Sequence, residues 1–307
     1  MHNETDNPTT TTRLHVPVMV DEVLEYLQPQ PGKLYLDATF GAGGHTRAIL
    51  DAEPTCRVLA LDWDSTSLET HGDPLIAQYG ERFSYIWGSF AHVYKLLKKY
   101  KIAQVDGVLA DFGTSQMQIW ERPGFSFNRD APLDMRMSPS HQRITAAEIL
   151  AQASEAELAK IFWDFGEERY SRRIAHAIVE QRQTEPLTTT RQLAALVKKV
   201  VPSPRTHKAI HPATRVFQAL RIQVNGEIDN IRAFLPAAFQ LLAPEGRMVC
   251  ISFHSLEDRE VKSFFRQWQQ EERATVLTKK VVTPSDEEVE RNPSARSAKL
   301  RSVQKLV

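Results

Sequence analysis

The sequence Leu34-Tyr-Leu-Asp-Ala-Thr-Phe-Gly-Ala-Gly-Gly-His-Thr46 predicts a short buried strand, a glycine turn and the start of a helix. Gly41, Gly43 and Gly44 allow left-handed backbone angles and a close approach to a ligand, toward which the first amides of the helix would point. About twenty residues later a second strand ends in Asp62, the usual place of a ribose-binding acid in a doubly wound α/β fold. The stretch therefore predicts a site for a cofactor with an adenosine end.

The residues around the glycines discriminate between two classes of cofactor. A dinucleotide-binding turn carries a third glycine where this chain has Thr46, and it tolerates no negative charge beside the pyrophosphate. Asp37 precedes Gly41 by four residues, where a carboxylate repels a pyrophosphate but attracts a sulfonium group. S-adenosylmethionine is therefore favoured over NAD. The alternative is a purely structural strand-to-helix turn in which Asp37 is a cap.

Length and composition allow one large domain or a core domain with an insertion. The chain has 307 residues, of which 42% are hydrophobic and 25% charged, as is ordinary for a globular protein. It has neither an apolar run of bilayer-spanning length nor a signal-peptide pattern, so we expect a cytoplasmic protein with no membrane partner. Cys56 and Cys250 lie in apolar runs without nearby ligands, so we expect buried thiols and no metal site.

Bulk charge does not indicate a nucleic-acid partner, because 38 basic residues balance 38 acidic ones. A local basic patch is nevertheless available near the end of the chain, where no acid follows Glu290. Its members are Arg291, Arg296, Lys299, Arg301 and Lys305.

The order of predicted elements indicates parallel βαβ units followed by a helical insertion. Strands are predicted at 34–39, 57–62, 83–87, 105–111, 247–254, 275–282 and 298–303, which would complete a seven-stranded sheet. Helices are predicted at 46–52, 65–79, 91–100, 145–153, 154–165, 167–182, 190–201 and onward from about 212, and a polar loop at 284–297. We therefore predict a flexible N-terminus at 1–13, a core formed by 14–136 and 212–307, and an inserted helical domain at 137–211.

The ends of the predicted strands carry the candidate site. Ligands of open α/β sheets bind beyond the carboxyl ends of the strands, so these residues should face one crevice. They are Asp37, Asp62, Phe90 and Asp111, with His254 at the end of the fifth strand. A polar stripe on the helix after Pro212 is either part of this site or a solvated face. The stripe consists of Thr214, Gln218, Arg221 and Asn225.

Several long motifs resemble one family. They are His15-Val-Pro-Val18, Asp37-Ala-Thr-Phe-Gly-Ala-Gly-Gly-His-Thr46, Asp111-Phe-Gly-Thr-Ser115, Gly124-Phe-Ser-Phe127, Pro132-Leu-Asp-Met-Arg-Met137, His211-Pro-Ala-Thr-Arg215, Phe217-Gln-Ala-Leu-Arg-Ile222, Ile251-Ser-Phe-His-Ser-Leu-Glu-Asp-Arg259 and Asn292-Pro-Ser-Ala-Arg-Ser-Ala-Lys-Leu-Arg301. Over nearly the whole chain the set resembles the MraW-type ribosomal small-subunit methyltransferase H family.

The resemblance implies S-adenosylmethionine-dependent methylation of the exocyclic N4 of a cytidine in the decoding region (P site) of 16S-type ribosomal RNA, with the small ribosomal subunit as partner. It also implies a class I methyltransferase fold, an α/β Rossmann-like sheet that is mostly parallel and carries an inserted all-helical domain. The implied cofactor contacts are Gly43, Gly44, His45, Asp62, Phe90, Asp111 and Gln118, to which the glycine turn itself adds Asp37 and Gly41. Departures from the family pattern fall at Trp63 and at Gln116.

The chemistry of this reaction requires a proton acceptor, because the cytosine N4 lone pair is delocalised into the ring and the amine is a poor nucleophile. The chain has no Asn/Asp-Pro-Pro-Tyr/Phe motif, and Asp111 or Ser115 is the candidate acceptor. The alternative for Asp111 is that it only holds the cofactor. His254 is a candidate for accepting a proton or contacting a phosphate, or else it anchors the next helix.

The candidate RNA contacts are basic residues, each of which could instead be a structural ion-pair partner. They are Arg136, Arg215, Arg221, Arg259, Arg296, Lys299 and Arg301.

Three rival functions are a nicotinamide enzyme, a non-catalytic ribosome-assembly factor, and a methyltransferase of a small molecule or protein. Asp37 and Thr46 disfavour the first, the intact acids disfavour the second, and the large insertion with its basic C-terminus disfavours the third. Exposed apolar residues in the insertion would suit a homodimer.

Overall fold

The sheet sets the position of every residue discussed below. A computed structural model describes residues 16–113, 122–202 and 211–307, and within them the strand order is β3-β2-β1-β4-β5-β7-β6. The strands are β1 (Leu34–Asp37), β2 (Arg57–Asp62), β3 (Phe83–Trp87), β4 (Val105–Asp111), β5 (Leu242–Ser252), β6 (Ala274–Val276) and β7 (Lys299–Lys305). Strands β1 to β5 are parallel, and β7 pairs antiparallel with β5 and β6. The predicted mostly parallel α/β sheet is confirmed.

The direction in which strands are added reverses between β1 and β4, which lie side by side in the middle of the sheet. Asp37 ends β1, Asp62 ends β2 and Asp111 ends β4. In open α/β sheets such a reversal opens a crevice at the carboxyl ends of the strands. The topology therefore places the carboxyl ends of these three strands, each with its acid, at the same end of the sheet, where the crevice opens.

Helices cover both faces of the sheet and also form a separate group. The helices are α1 (Val20–Leu27), α2 (Gly44–Ala52), α3 (Ser65–Ser67, continued by a π-helical turn at Leu68–Gly72 and by Asp73–Tyr79), α4 (Val93–Lys99), α5 (Ala146–Gln152), α6 (Glu155–Gly166), α7 (Ser171–Gln181), α8 (Thr190–Val200), α9 (Thr214–Asn225), α10 (Glu227–Leu241), α11 (Ser255–Gln270) and α12 (Asp286–Arg291). No helix in the described ranges combines the length and the apolar character needed to cross a membrane.

The central strands are buried on both faces because helices cover both. Val108 of β4 packs with Phe234 of α10 on one face, whereas Leu109 packs with Ile49 of α2 on the other. Successive side chains of a strand point to opposite faces, so a strand covered on both sides reads as a continuous apolar run. Cys56 and Cys250 are buried free thiols, as predicted.

Helices α5 to α9 pack around a hydrophobic cluster of their own, which includes Phe162, Ile174 and Leu220. Ser154 and Glu157 form a reciprocal capping box at the start of α6, four residues whose pattern S-x-x-E is typical of a helix N-terminus. Gly166 lets α6 cross α9 closely, because a Cβ there would lie 2.6 Å from the carbonyl oxygen of Arg215. Helix α9 thus joins this cluster, although the predicted inserted domain ends at residue 211.

Several predicted elements differ from the structure. The predicted loop at 284–297 is wrong, because Ser285 caps α12 and a 3₁₀ turn follows at Pro293–Ser297. The helix predicted at 167–182 begins only at Ser171, since Glu167 has a left-handed backbone with φ 48°. The strand predicted at 275–282 is confined to β6, after which the chain meets β7 again only at a bridge between Val282 and Leu300.

Candidate active site

The three glycines of the turn before α2 have different roles. Gly41 and Gly43 have positive φ angles of 53° and 75°, which favour glycine. A Cβ on Gly43 would lie 2.8 Å from the Phe40 ring, and one on Gly44 would lie 2.7 Å from Pro17, whereas one on Gly41 would meet nothing within 4 Å. Gly41 is therefore the glycine that leaves open space for a ligand, while the other two allow close packing of the protein on itself.

Residues 16–19, here called the N-terminal strap, lie over the glycine turn. Pro17 covers Gly44, and the carbonyl oxygen of Val18 accepts a hydrogen bond of 2.8 Å from His45 Nε2. A carbonyl oxygen only accepts, so the proton of a neutral His45 ring is on Nε2 and Nδ1 is free to accept. The strap therefore sets both the position of the turn and the tautomer of His45.

The C-terminal part of the chain holds this strap in place. The backbone N–H of Met19 donates to Glu288 Oε1 at 2.6 Å, and the side-chain amide of Asn292 donates to the carbonyl oxygen of Val16 at 3.1 Å. Both partners belong to the segment for which the sequence predicted only a polar loop. That segment is thus a structural support of the glycine turn.

Asp37 lies behind the turn rather than in the open crevice. Its side chain is 1% exposed, and it accepts hydrogen bonds from the Thr39 backbone N–H at 3.1 Å and from Thr46 Oγ1 at 2.7 Å. Burial raises the pKa of this carboxyl, while the nearby His45 and the two hydrogen bonds oppose the rise. The geometry matches the structural alternative for Asp37, and its charge reaches the crevice through the turn rather than by contact.

Asp62 joins the glycine turn to the end of β2. Its two carboxylate oxygens accept hydrogen bonds from the backbone N–H groups of Gly41 at 2.8 Å and Asp64 at 2.9 Å. The residue is 9% exposed, and burial raises the pKa of its carboxyl to about 6. Each oxygen keeps a second lone pair, so Asp62 is suited to accept hydrogen bonds from the hydroxyls of a ribose beside the open side of Gly41.

Asp111 is the most accessible of the three acids. Its side chain is 16% exposed, and its Oδ2 lies 4.0 Å from His45 Nδ1. The backbone N–H of Asp111 donates to Thr39 Oγ1 at 2.7 Å, which ties the end of β4 to the turn after β1. Burial raises the pKa of the Asp111 carboxyl to about 6, and the nearby His45 limits the rise. A carboxylate with such a pKa is well placed to accept a proton near neutral pH.

Phe90 packs its ring into the core below the crevice. The ring centroid lies 5.4 Å from that of Phe234 and 5.8 Å from that of Phe112. Phe90 thus fixes the turn after β3, and its predicted contact with a cofactor stays a prediction. The candidates Ser115 and Gln118, and the unusual Gln116, lie outside the described residues.

His254 is the N-cap of α11. The acid at the third position of this helix is Glu257, which accepts hydrogen bonds from the backbone N–H groups of Phe253 at 2.7 Å and His254 at 3.3 Å. Glu257 Oε1 also lies 3.2 Å from His254 Nε2, although neither ring nitrogen makes a hydrogen bond of good geometry within the described residues. This arrangement favours the anchoring alternative for His254.

Glu227, His254 and Glu257 are the one group of at least three potential metal ligands within the described part of the chain, with ligand atoms within 4.8 Å of one another. The guanidinium of Arg221 donates to both carboxylate oxygens of Glu227 at 2.9 Å. A cation already balances this carboxylate, so the group is better described as a buried charge network than as a metal site.

The polar stripe of α9 is not a solvated face. Gln218 donates to the carbonyl oxygen of Phe165 at 3.2 Å, and Asn225 is buried. The Asn225 side chain accepts from the Met137 backbone N–H at 2.8 Å and donates to the Met135 carbonyl oxygen at 2.9 Å. The stripe therefore connects α9 to the segments that precede it, and periodicity alone could not identify these partners.

Most of the candidate RNA-binding cations have structural partners. Ion pairs join Arg136 to Asp134, Arg221 to Glu227, Arg259 to Glu167 and Arg301 to Asp258. Arg215 donates weakly to the carbonyl oxygen of Glu167 at 3.4 Å. Within the described ranges Arg296 is exposed and Lys299 half-buried, and neither has a side-chain partner. The RNA role of each remains a prediction.

A groove of about 550 Å³ lies beside the crevice, between the turn after β2 and the junction of α9 with α10. Trp63, His141, Arg143 and Asn230 contribute to its lining. Trp87 donates from Nε1 to the Trp63 carbonyl oxygen at 2.9 Å, and its ring lies 5.4 Å from that of His141. Sequence reasoning missed His141 and Arg143, because they belong to no recognisable motif.

Comparison with known proteins identifies the family. The model of the MraW methylase family matches residues 12–306. A protein of Syntrophotalea carbinolica named "Ribosomal RNA small subunit methyltransferase H" is 48% identical over 95% of this chain and 98% of its own length. Proteins of the same name from Rhodopseudomonas palustris and Carboxydothermus hydrogenoformans are 47% and 43% identical, and they cover 94% and 95% of the chain and 90% and 98% of their own lengths. The chain therefore belongs to the MraW methylase family.

Proposed function

We propose that this protein transfers a methyl group from S-adenosylmethionine to the exocyclic N4 of a cytidine in the decoding region of small-subunit ribosomal RNA. The observation that carries the proposal is the hydrogen bond of 2.8 Å from the Gly41 N–H to Asp62. It joins the glycine beside which space is free for a ligand to an acid suited to bind a ribose, at the point where the strand order reverses. The names of the relatives at 43% to 48% identity support ribosomal RNA as the substrate class. The motif resemblance supports the N4 position.

The residues of the crevice fit the methyl donor. Asp62 accepts hydrogen bonds from the ribose, while Gly41 leaves room for the ligand beside the turn. Asp37 contributes negative charge behind the turn, which favours a sulfonium over a pyrophosphate. S-adenosylmethionine supplies an electrophilic methyl group on this sulfonium. The proposed cofactor site also includes the backbone around Gly43, Gly44 and His45.

Asp111 is the proposed proton acceptor. As the new carbon–nitrogen bond forms, the N4 amine must lose a proton, and an ionised carboxylate can take it. The exposed fraction of Asp111 and its pKa of about 6 suit this task near neutral pH. His45 Nδ1 lies 4.0 Å away, and the imidazolium form of this ring, with a proton on Nδ1, would stabilise the charge on Asp111 before the transfer. Ser115 remains the second candidate for this role.

The substrate is proposed to be a folded surface of the small subunit rather than a free nucleoside. We propose that the inserted helical domain, 137–211, recognises it together with the core. The groove beside the crevice offers Trp63, His141 and Arg143, the residue types on which unstacked bases stack. A cytidine drawn out of the RNA could therefore be held between the core and the insertion.

The test is transfer of labelled methyl from S-adenosylmethionine to purified small subunits and to free small-subunit RNA, followed by nucleoside analysis. N4-methylated cytidine is the expected product. If it forms on subunits only, the substrate surface includes assembled ribosome. Label on another base, or on peptides or free nucleosides instead, would contradict the proposal and favour a methyltransferase with a different acceptor.

A further inference from the structure

A second cavity lies outside the crevice. All the charged residues that line it are basic. It has a volume of about 580 Å³ and lies between α11 and the segment 276–283. The basic residues of its wall are Lys262, Arg266, Lys279, Lys280 and Arg301. A cavity with basic walls concentrates positive potential, and this favours an anion.

The strand register relates one wall of this cavity to the carboxyl ends of the strands, where the crevice also lies. Asp111 pairs with Ile251 on β5, Ile251 pairs with Leu300 on β7, and Leu300 meets Val282 at the bridge. Three successive strand spacings correspond to about 15 Å. Val281 and Thr283, the neighbours of Val282, line the cavity, so this part of its wall lies near the carboxyl ends of the strands, within reach of an extended ligand that also contacts Asp111.

The cations of the cavity differ in their partners. Arg301 is neutralised by Asp258, with an Nε to Oδ1 distance of 2.6 Å. Lys262, Arg266, Lys279 and Lys280 make no ion pair or hydrogen bond with any residue in the described ranges. Four unpaired charges around one cavity repel one another, and this repulsion would be relieved by a polyanion.

We propose that the phosphates of the RNA backbone next to the target nucleotide bind in this cavity. The inference rests on the proposed function for the identity of the polyanion, since an RNA chain that delivers a base to Asp111 can continue along the carboxyl ends of β5 and β7 to this cavity. Flexible lysines hold phosphates as point charges and read no sequence. The cavity therefore contributes affinity and register, whereas the crevice selects the base.

The test uses two double variants and a matched control. Lys279→Glu with Lys280→Glu reverses two exposed charges, and Lys262→Gln with Arg266→Gln neutralises two on α11. The control, Lys98→Glu with Lys99→Glu, changes as much charge as the first variant but lies in the last turn of α4, just before the amino end of β4. Binding of a small-subunit RNA fragment that contains the target cytidine is measured by filter retention over a range of salt.

Each cavity variant should bind the RNA about 10- to 100-fold more weakly and lower the slope of log affinity against log salt by about 1 to 2, because fewer counterions are released. Binding of S-adenosylmethionine, measured by calorimetry, should not change. An equal loss in the control, or an unchanged salt slope, would overturn the inference. So would stronger competition by polyglutamate than by RNA of equal charge, which would indicate an acidic protein partner.

This readout is independent of methyl transfer. If N4-methylated cytidine never forms but the cavity variants still lose RNA affinity and salt slope, the proposed reaction fails and the RNA site stands. If methylation proceeds and the cavity variants bind RNA as the unmodified protein does, the reaction stands and the cavity inference fails.

Discussion

Thr46 donates a hydrogen bond of 2.7 Å from its hydroxyl to the buried carboxylate of Asp37. Thr46 stands where a dinucleotide-binding turn has its third glycine. A threonine instead of a glycine at this position therefore does more than disfavour a dinucleotide. Its hydroxyl is a hydrogen-bond partner for an acid that the turn shields from water. The first turn of α2 and the end of β1 are joined by this bond.

Thr46→Val should lower the free energy of unfolding by about 1 to 3 kcal/mol, because a buried carboxylate loses a donor while the side-chain shape is kept. Urea unfolding at neutral pH measures the loss. Thr46→Ser, which keeps the hydroxyl, is the control and should lose less. Equal stability of the valine variant and the unmodified protein would show that the bond does not hold the turn.

Gly41→Ala and Gly44→Ala should have opposite signatures. At Gly41 a Cβ meets no protein atom, so the variant should remain folded, with strain of about 1 kcal/mol from its positive φ, but bind S-adenosylmethionine at least tenfold more weakly. At Gly44 a Cβ would lie 2.7 Å from Pro17, so the main effect of this variant should be a lower melting temperature. Calorimetry and thermal melting separate the two, and identical losses of affinity and stability would refute the division of roles.

The N-terminal strap should influence cofactor binding although it contacts Gly44 and His45 rather than the open side of Gly41. Asn292→Ala removes the amide that holds the Val16 carbonyl oxygen, and a loosened strap no longer fixes Gly44 and His45. We expect the dissociation constant for S-adenosylmethionine to rise about fivefold, which corresponds to about 1 kcal/mol, the usual contribution of one hydrogen bond. Glu290→Ala, an exposed change nearby, is the control. An unchanged constant in the Asn292 variant would contradict this coupling.

The sequence was informative where one local pattern determines one element. Strands β1 to β4 are apolar runs that end in a polar residue or a glycine turn, and their acids follow directly from topology. The Ser154–Glu157 cap is likewise a signal spanning four residues. The mostly parallel sheet, the strand-end acids and most helices could therefore be predicted from the sequence.

The contacts that support the site were not accessible, because their partners are distant in the chain. Glu288 holds Met19, and Asn225 holds Met135 and Met137, through bonds for which neither partner carries a local signal. The same limit explains the wrong loop at 284–297, where a polar composition concealed a short capped helix. Polar residues with a supporting role resemble solvated ones until the fold brings them together.

Asp62 should make stability depend on pH. Its folded pKa of about 6 lies above its ordinary value, so the stability that it contributes is present below about pH 4 and is lost as the pH rises through 6. From this carboxyl alone, the free energy of unfolding should fall by about 2 kcal/mol between pH 4.5 and 7. In Asp62→Asn this part of the slope should vanish. The free energy of unfolding of both proteins is measured by urea unfolding at pH 4.5 and 7. An equal pH dependence in the unmodified protein and in Asp62→Asn would contradict the raised pKa of Asp62.

Asp111 should govern the chemical step of methyl transfer. The carboxylate must be ionised to accept the proton of N4, so the single-turnover rate at saturating S-adenosylmethionine should fall as the pH drops through about 6. Asp111→Asn cannot accept the proton, so its rate should fall by about 10²- to 10⁴-fold and lose this pH dependence.

The alternative for Asp111, that it only holds the cofactor, makes a different prediction. In that case Asp111→Asn would raise the dissociation constant for S-adenosylmethionine but restore a near-normal single-turnover rate once the cofactor saturates. His45→Gln tests the influence of the neighbouring imidazole on Asp111, whose Oδ2 lies 4.0 Å from His45 Nδ1. Burial raises the pKa of the Asp111 carboxyl, and His45 limits this rise. Removal of the imidazole should move the apparent pKa of the rate upward. A pH profile unchanged in both variants would remove Asp111 from the chemical step and leave Ser115 as the candidate.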